Sequence, residues 1–284
     1  MIPAPFEYTL PSTVDEAVRA LADAGEDAKV LAGGQSLIPL LRLRLAAPSV
    51  LVDLGAVEGL RGIREDGDAL VIGATTTHAS VLADRLVHRF VPLLAQATAT
   101  VADRQVRHRG TLGGALAHAD PAGDLPATVV ALDATLSIAG PDGSRTVAAA
   151  DFFVDYLTSA LGPGEVLVAV RVPKREGWST HYEKFNRVAQ AWATVGVAAA
   201  VRRDNGSIAE ARVALTNMDV MPVRAAAVEE ALTGVPATAE AVAAAAEHAA
   251  EGTHPTGDLS ASPEYRAHLA RVLTRRAVLA AAGI

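Results

Sequence analysis

The sequence predicts an α+β protein in which two differently built parts follow one another along the chain. Up to about residue 173, short apolar runs typical of strands alternate with helical patterns. After Pro173, three strand-like segments at 181–187, 194–203 and 207–216 precede three helical segments at 222–232, 237–250 and 263–281. The turn Asp204-Asn205-Gly206 indicates a hairpin between the last two strands. We therefore assign residues 1–175 to the first part and residues 176–284 to the second.

The first helix carries a signal at each end. Thr13 and Glu16 form a capping-box pair at its start, and Gly25 stands where a C-terminal cap is expected. A strand is predicted at 28–32, and Ser36 is expected to cap a second helix that runs to about residue 45. The other elements predicted in the first part are strands at 49–54, 69–73, 134–139 and 165–172 and helices at 81–97 and 126–131.

Composition excludes several classes of function. The chain of 284 residues has 25 Lys+Arg against 32 Asp+Glu, so it lacks the basic surface that a nucleic-acid partner needs. It has no Cys, which excludes a disulfide scaffold, a thiolate zinc site and a Cys-ligated iron–sulfur cluster on this chain. No apolar run reaches the roughly 20 residues of a membrane span, and the start does not match a signal peptide. We therefore expect a cytoplasmic protein.

Two segments that contain Gly-Gly are the main chemical signal. The first loop (residues 32–36) holds Gly33-Gly34, and the second loop (residues 110–114) holds Gly113-Gly114. Glycine lets backbone N–H groups converge on an anion, so two such loops facing one cleft suit a diphosphate. A lone Gly-Gly is more often only a tight turn. Neither loop fits the P-loop or the G-x-G-x-x-G pattern, so any phosphorylated ligand is held by another scheme.

Longer motifs around these loops carry a family resemblance. The segments 29–39, 105–114 and 119–126 closely resemble the FAD-binding medium subunit of carbon monoxide dehydrogenase-like molybdenum hydroxylases, in the xanthine dehydrogenase family. The resemblance extends from Phe6 to the motif at 262–266 and so covers nearly the whole chain. It implies a p-cresol methylhydroxylase-type FAD-binding domain of two α/β subdomains, at about 1–55 and 56–175. A C-terminal domain of antiparallel sheet and helices is implied to follow.

The resemblance also implies which residues bind FAD. In the family the two loops wrap the FAD diphosphate, Leu167 contributes a main-chain contact, Lys184 lies near the flavin, and Trp192 occupies the position of an aromatic residue that covers the ring. The implied contacts are Leu31, Ala32, Gly33, Gly34, Gln35, Ser36, Leu37, Gly110, Thr111, Leu112, Gly113, Gly114, His118, Asp124, Leu167, Lys184 and Trp192. No catalytic residue and no metal ligand is implied. The lack of Cys and of a recognisable context for a His linkage predicts that FAD is bound without a covalent bond.

The sequence departs from the family pattern at two places, and simpler interpretations of some site residues stay open. Residues 152–156 contain Asp155 where relatives often have Gly, and Ala191-Trp192-Ala193 stands in place of Asp-Tyr-Ala. Without the resemblance, Trp192 is also typical of a core residue and Lys184 of a solvated strand residue. His118 and its neighbouring aspartates are also typical of a capped loop, and the basic cluster at 104–109 of a solvated face.

The function implied by the resemblance is electron transfer. A large molybdenum-cofactor subunit oxidises the substrate, a small [2Fe-2S] subunit relays the electrons, and FAD on this chain passes them to an external acceptor. The complex is implied to be a dimer of heterotrimers, with the metal centres only on the partner subunits. Two other classes stay open, a self-contained FAD-dependent oxidase and a non-catalytic protein that binds a phosphorylated ligand. The sequence does not assign the substrate, and it does not decide whether the acceptor is a quinone, NAD or oxygen.

Overall fold

The computed structural model describes residues 2–284, and the strands in this range form three larger sheets and one two-stranded ribbon. The strands are β1 (Glu7–Thr9), β2 (Ala28–Leu31), β3 (Val50–Asp53), β4 (Ile63–Asp66), β5 (Ala69–Gly73), β6 (Thr135–Gly140), β7 (Gly143–Ala148), β8 (Phe153–Asp155), β9 (Thr158–Ser159), β10 (Val166–Pro173), β11 (Trp178–Phe185), β12 (Val195–Asp204), β13 (Ser207–Thr216) and β14 (Val223–Arg224). The α-helices are α1 (Val14–Ala24), α2 (Leu37–Leu43), α3 (His78–Ala83), α4 (Arg85–Phe90), α5 (Pro92–Ala99), α6 (Arg104–Arg109), α7 (Leu112–His118), α8 (Asp124–Ala131), α9 (Ala149–Phe152), α10 (Ala226–Leu232), α11 (Ala239–Ala246) and α12 (Pro263–Ala282).

The N-terminal sheet is parallel, in the order β1-β3-β2, and α1 packs on it. The capping box at the start of α1 is confirmed, because Thr13 Oγ1 accepts the N–H of Glu16 at 3.2 Å and the Glu16 carboxylate accepts the N–H of Thr13 at 3.3 Å. Gly25 ends the helix with a φ of 68°, which favours glycine. This capped helix fixes where β2 begins and therefore where the first loop starts.

The expected cap of the second helix is wrong. Ser36 precedes α2, but its φ of −99° and ψ of −46° are helical and its side chain bonds to no N–H of the helix. An N-cap residue normally has extended backbone angles, which aim its side-chain oxygen back at the first turn. Gly34, with a φ of 72°, has already turned the chain, so Ser36 enters the helix direction without capping it.

The central sheet is antiparallel, in the order β4-β5-β10-β6-β7, and α3 to α8 connect β5 to β6. The stretch at 81–97 that was predicted to be mostly helical contains three short helices. Asp84 caps α4 by accepting the N–H groups of Leu86 and Val87, and Pro92 begins α5, so the chain changes direction at both residues. The edge strands β4 and β7 were not predicted, because their exposed residues lack an apolar pattern.

The C-terminal sheet, in the order β11-β12-β13-β14, is covered on both faces. The hairpin at Asn205-Gly206 is confirmed, with φ angles of 46° and 82°. Along β12, Ala198 and Ala200 join the core of the first part of the chain, whereas alternate residues pack under α10 to α12. Two covered faces explain why residues 195–201 of β12 form an uninterrupted run without a polar side chain. The first residues of the helix predicted at 222–232 instead form β14, which pairs with β13.

None of the helices in the described part of the chain is both long enough and apolar enough to span a bilayer.

Candidate cofactor site

A cleft of about 860 Å³ opens between the two glycine loops and reaches the C-terminal sheet. Both loops line it, together with the start of α8, strand β11 and the segment that ends at Trp192. The predicted contacts that line the cleft are Ala32, Gly33, Gly34, Gln35, Ser36, Leu37, Gly110, Thr111, Gly114, His118, Asp124, Lys184 and Trp192. Residues that are far apart in the sequence therefore meet at one elongated cavity.

The other predicted contacts lie beside the cleft rather than on its wall. The side chains of Leu112 and Leu167 are buried in the main core. Gly113 packs on the backbone after β5, since a Cβ there would lie 2.5 Å from Ala74 Cβ. Leu31 ends β2, and its Cδ1 lies 3.2 Å from the position of a Cβ on Gly34. These four residues therefore support the loops and the cleft from behind.

The two loops touch each other directly. A Cβ on Gly33 would lie 2.3 Å from the carbonyl oxygen of Arg109 and 2.8 Å from the Cα of Gly110. Such distances are far inside van der Waals contact with backbone atoms, so only glycine allows the loops to approach this closely. The prediction that the two loops face one cleft agrees with this geometry.

The first loop presents free backbone donors. Within residues 2–284, the N–H groups of Gly33, Gly34, Gln35 and Ser36 donate to no protein acceptor. The loop is held by other bonds, because Gln35 Nε2 donates to the carbonyl of Gly33 at 3.0 Å and the N–H of Ile38 donates to the carbonyl of Gly34 at 2.9 Å. Consecutive free amides on a cleft wall form a site that suits an anion such as a phosphate group.

The second loop differs from its interpretation as a glycine-rich turn. Thr111 caps α7, and Gly113 and Gly114 lie inside the first turn of that helix. The N–H groups of Leu112 and Gly113 donate to backbone carbonyls after β5 at 2.9 and 2.8 Å, and the N–H of Gly114 donates to Thr111 Oγ1 at 3.1 Å. These three amides are already satisfied. The amides of Leu112 and Gly113 attach α7 to the residues that follow β5. These residues are distant in the sequence, so no local pattern predicts the contact.

A buried ion pair joins the two parts of the chain on the cleft wall. Lys184 Nζ on β11 donates to Asp124 Oδ2 on α8 at 2.8 Å and to the carbonyl of Thr100 at 3.1 Å. The side chains of Lys184 and Asp124 are only 6% and 3% exposed, so Lys184 is not a solvated strand residue. Burial raises the pKa of Asp124, and the ammonium of Lys184 opposes this shift.

The remaining predicted residues lie near the cleft in different environments. Trp192 is 56% exposed, so the interpretation as a core residue is wrong. His118 Nε2 lies 3.9 Å from Asp120 Oδ2. The other carboxylate oxygen of Asp120 accepts the N–H of Ala122, which stabilises the loop before α8. In the described range no three potential ligand side chains come together as a metal site.

Two residues on or behind the cleft wall were missed from the sequence. His78 begins α3, is 4% exposed, lines the cleft, and packs its ring against Gly110. Its Nδ1 is buried without a hydrogen-bond partner, and burial together with the nearby charge of Arg107 lowers its pKa to about 4. Tyr182 donates from its hydroxyl to Asp124 Oδ1 at 2.7 Å. Its spacing of two from Lys184 on a strand was a usable signal, whereas His78 gave none.

The free amides on the wall of this cleft fit a ligand that carries a phosphate group. The FAD-binding domain of molybdopterin dehydrogenases matches residues 4–175, and the C-terminal domain of CO dehydrogenase flavoproteins matches residues 180–281. The chain belongs to this family of FAD-binding flavoproteins. FAD is therefore its cofactor, and the free amides beside the close glycine contact fit a diphosphate-containing molecule.

Full-length relatives agree with this assignment. The carbon monoxide dehydrogenase medium chain of Hydrogenophaga pseudoflava is 42% identical over 99% of this chain and 98% of its own length. The 6-hydroxypseudooxynicotine dehydrogenase complex subunit alpha of Paenarthrobacter nicotinovorans is 37% identical over 97% of this chain and 94% of its own length. A solved carbon monoxide dehydrogenase from Hydrogenophaga pseudoflava, which lacks the Mo-pyranopterin moiety, superposes with a TM-score of 0.96 over 99% of this chain and 98% of the matched chain, at 44% identity.

Proposed function

We propose that this chain is the electron-transfer subunit of a molybdenum hydroxylase, taking electrons from a [2Fe-2S] subunit onto FAD and passing them to an external acceptor. The observation that carries the proposal is the cleft with free amides in a chain that matches medium chains over its whole length. The absence of Cys from the sequence requires the iron–sulfur clusters to lie on a partner chain. Bound FAD supplies the redox chemistry, and the protein supplies binding, orientation and charge.

Different residues of the cleft have different roles in binding FAD. The free N–H groups of the first loop bind the diphosphate, and the second loop, packed against Gly33, holds the shape of the cleft. The pair of Asp124 and Lys184 sets the charge of the wall, and the exposed Trp192 supplies an aromatic side chain at the cleft against which the flavin would pack. FAD is held without a covalent bond, since the chain has no Cys and no recognisable sequence context for a His linkage.

We further propose a large molybdenum-cofactor subunit and a small iron–sulfur subunit as partners, in a dimer of heterotrimers. The names of the relatives support separate subunits, because they are described as a medium chain and as a subunit of a complex. The same names refer to unrelated substrates, which supports a substrate pocket outside this chain. We assign residues 1–175 to the FAD-binding domain, with subdomains at about 1–55 and 56–175, and residues 176–284 to the C-terminal domain. The cytoplasmic location stays a prediction.

Purification of the chain from its own cells tests this proposal. We expect FAD, iron, molybdenum and two further chains to co-purify, and acid precipitation to release all of the flavin into the supernatant. The isolated chain loaded with FAD is expected to oxidise no organic substrate with an artificial acceptor. Turnover by that metal-free chain overturns the proposal in favour of a self-contained oxidase, and flavin that stays on the precipitate contradicts non-covalent binding.

A further inference from the structure

Tyr182 is a buried phenol next to the cofactor cleft that does not itself line the cleft. Its hydroxyl donates to Asp124 Oδ1 at 2.7 Å and lies 3.5 Å from Thr216 Oγ1. The other oxygen of the same carboxylate, Oδ2, accepts from Lys184 Nζ at 2.8 Å. One strand, β11, therefore supplies a donor to each oxygen of Asp124, and these two bonds fix the orientation of the carboxylate.

The neighbouring strand makes room for this hydroxyl. Gly196 lies in the interior of β12, opposite Lys184 in the register of the sheet. A Cβ at position 196 would lie 2.5 Å from the hydroxyl oxygen of Tyr182 and 3.1 Å from Cβ of Thr216. Glycine weakens the interior of a strand, so its presence here marks a place where another group approaches closely. That group is the phenol oxygen.

Asp124 and Lys184 are both residues of the cleft wall, so the charge balance of this buried pair acts on whatever binds there. The groups that act on the Asp124 carboxyl are Lys184 and Tyr182 on β11 and Thr100 after α5. His118 and Asp120 line the same cleft but lie next to each other, with 3.9 Å between Nε2 and Oδ2. The pair therefore stays balanced only while Asp124 remains ionised.

We propose that Tyr182 is a positioning residue of the FAD site: its hydroxyl, admitted by Gly196, holds the Asp124 carboxylate in its ionised form against Lys184 and so keeps this wall of the cleft neutral. The proposal rests on the proposed placement of FAD in this cleft. A hydrogen bond donated to a carboxylate favours its charged form. Loss of the hydroxyl leaves Oδ1 buried without a donor, so Asp124 binds a proton more readily and Lys184 becomes an uncompensated positive charge.

An uncompensated positive charge at the wall favours the more negative, reduced form of a bound cofactor. Removal of the hydroxyl is therefore expected to raise the midpoint potential of the bound FAD. When the pH is lowered, protonation of Asp124 adds a further increase in the midpoint potential. In the variant this increase is expected to begin at a higher pH than in the wild type, because the pKa of Asp124 moves upward. A side chain that only supports the fold changes the melting temperature and leaves this pH profile unmoved.

The test compares Tyr182→Phe with Tyr156→Phe in the FAD-loaded holoenzyme. Tyr156 is 61% exposed, so its variant loses a phenol oxygen at a solvated position. Spectroelectrochemical titration from pH 5 to 9 is expected to show a raised potential and a profile displaced to higher pH for Tyr182→Phe only. Gly196→Ala, which pushes the hydroxyl away while keeping the phenol, is expected to shift the profile in the same direction.

A profile of Tyr182→Phe that overlays the wild type overturns the proposal, whatever its melting temperature. If Tyr182→Phe does not retain FAD, the titration is made on Gly196→Ala, whose unchanged profile overturns it equally. Failure of the wild-type chain to bind FAD in the cleft contradicts the proposed placement of FAD instead, because no flavin is then present to titrate. The two failures are therefore distinguishable.

Discussion

The two glycine loops share a dipeptide and use it for different physical reasons. In the first loop, Gly34 has a φ of 72°, and the surrounding amides have no partner among residues 2–284. In the second loop, Gly113 and Gly114 lie in a regular helix whose first amides are bonded to other backbone atoms and to the cap Thr111. The first loop is therefore built as an open donor site, and the second as a packing surface that the first loop rests on.

This difference shows that a Gly-Gly pair does not identify an anion site by itself. Gly34 adopts a positive φ that other residues rarely adopt. Gly33 lets the backbone of the second loop approach closely, and Gly113 lets its helix pack closely on the core. Substitutions at these positions are accordingly expected to change different measured quantities. Variants at these positions therefore distinguish a loss of folding stability from a loss of cofactor affinity.

The largest effect is expected for Gly113→Val in the second loop. Its Cβ would lie 2.5 Å from Ala74 Cβ and 2.7 Å from the Ala74 carbonyl oxygen, in a buried region that cannot open. Overpacking of this kind costs about 3 kcal/mol, so we expect a clearly lower melting temperature in thermal unfolding followed by circular dichroism. Ala117→Val on the same helix is the control for the β-branched side chain. Equal melting temperatures for the two variants contradict the packing role.

Gly33→Ala, in the first loop, is expected to change affinity more than stability. The added methyl group meets the backbone of Arg109 and Gly110, and two surface loops can separate where a core cannot. We expect the apo-protein to stay folded while FAD binds on the order of 100-fold more weakly, or about 2.7 kcal/mol, in a fluorescence titration. Native affinity in this variant contradicts a binding site that depends on contact between the loops.

A titrating group supports the second loop, and its effect on stability has a defined sign. His78 packs against Gly110, and burial lowers its pKa from 6.5 to about 4. Between these values the unfolded chain binds more protons than the folded chain, so stability falls as the pH falls. The expected loss from pH 7 to pH 5 is about 2 kcal/mol.

Urea unfolding at the two pH values measures the loss assigned to His78. The variant His78→Gln is expected to remove this part of the difference, because glutamine does not titrate. His108→Gln on α6, where the histidine is exposed, is expected to retain it. The same pH dependence in His78→Gln and in the wild type assigns the loss to other groups.

The smallest expected changes in stability are those of Thr111 and Ser36, the residues that precede α7 and α2. Thr111→Ala removes a cap that accepts the N–H of Gly114, so a loss of about 1 kcal/mol in stability is expected. Ser36→Ala removes no such bond and is expected to stay within about 0.5 kcal/mol of the wild type. Paired denaturant unfolding curves measure both, and an equal loss in the two variants removes the distinction between the loops.

Local signals in the sequence were sufficient for most helices and strands of this protein. The capping box at Thr13, the Asn205-Gly206 hairpin and the apolar run of β12 each depend on interactions within a few residues, so they predict their elements directly. The edge strands β4 and β7 were missed because they carry no local signal, and other errors occurred where a local signal was overridden. Ser36 lost its capping role to the backbone turn at Gly34, and the turn interpreted at Gly113-Gly114 became helical because α7 docks after β5.

By itself, the sequence determined which two glycine loops suit a phosphorylated ligand, and the motifs around them implied FAD through their resemblance to a known family. Both signals depend on residue identity alone and can be recognised without any tertiary contact. Tertiary structure alone decided which amides stay free, since whether a backbone donor is satisfied depends on partners distant in the chain. It also decided that Lys184 is buried against Asp124 and Tyr182, and that His78 lies beneath Gly110. The ionisation of Asp124 and His78 depends on such contacts between residues distant in the chain, and the spacing of residues in the sequence does not predict them.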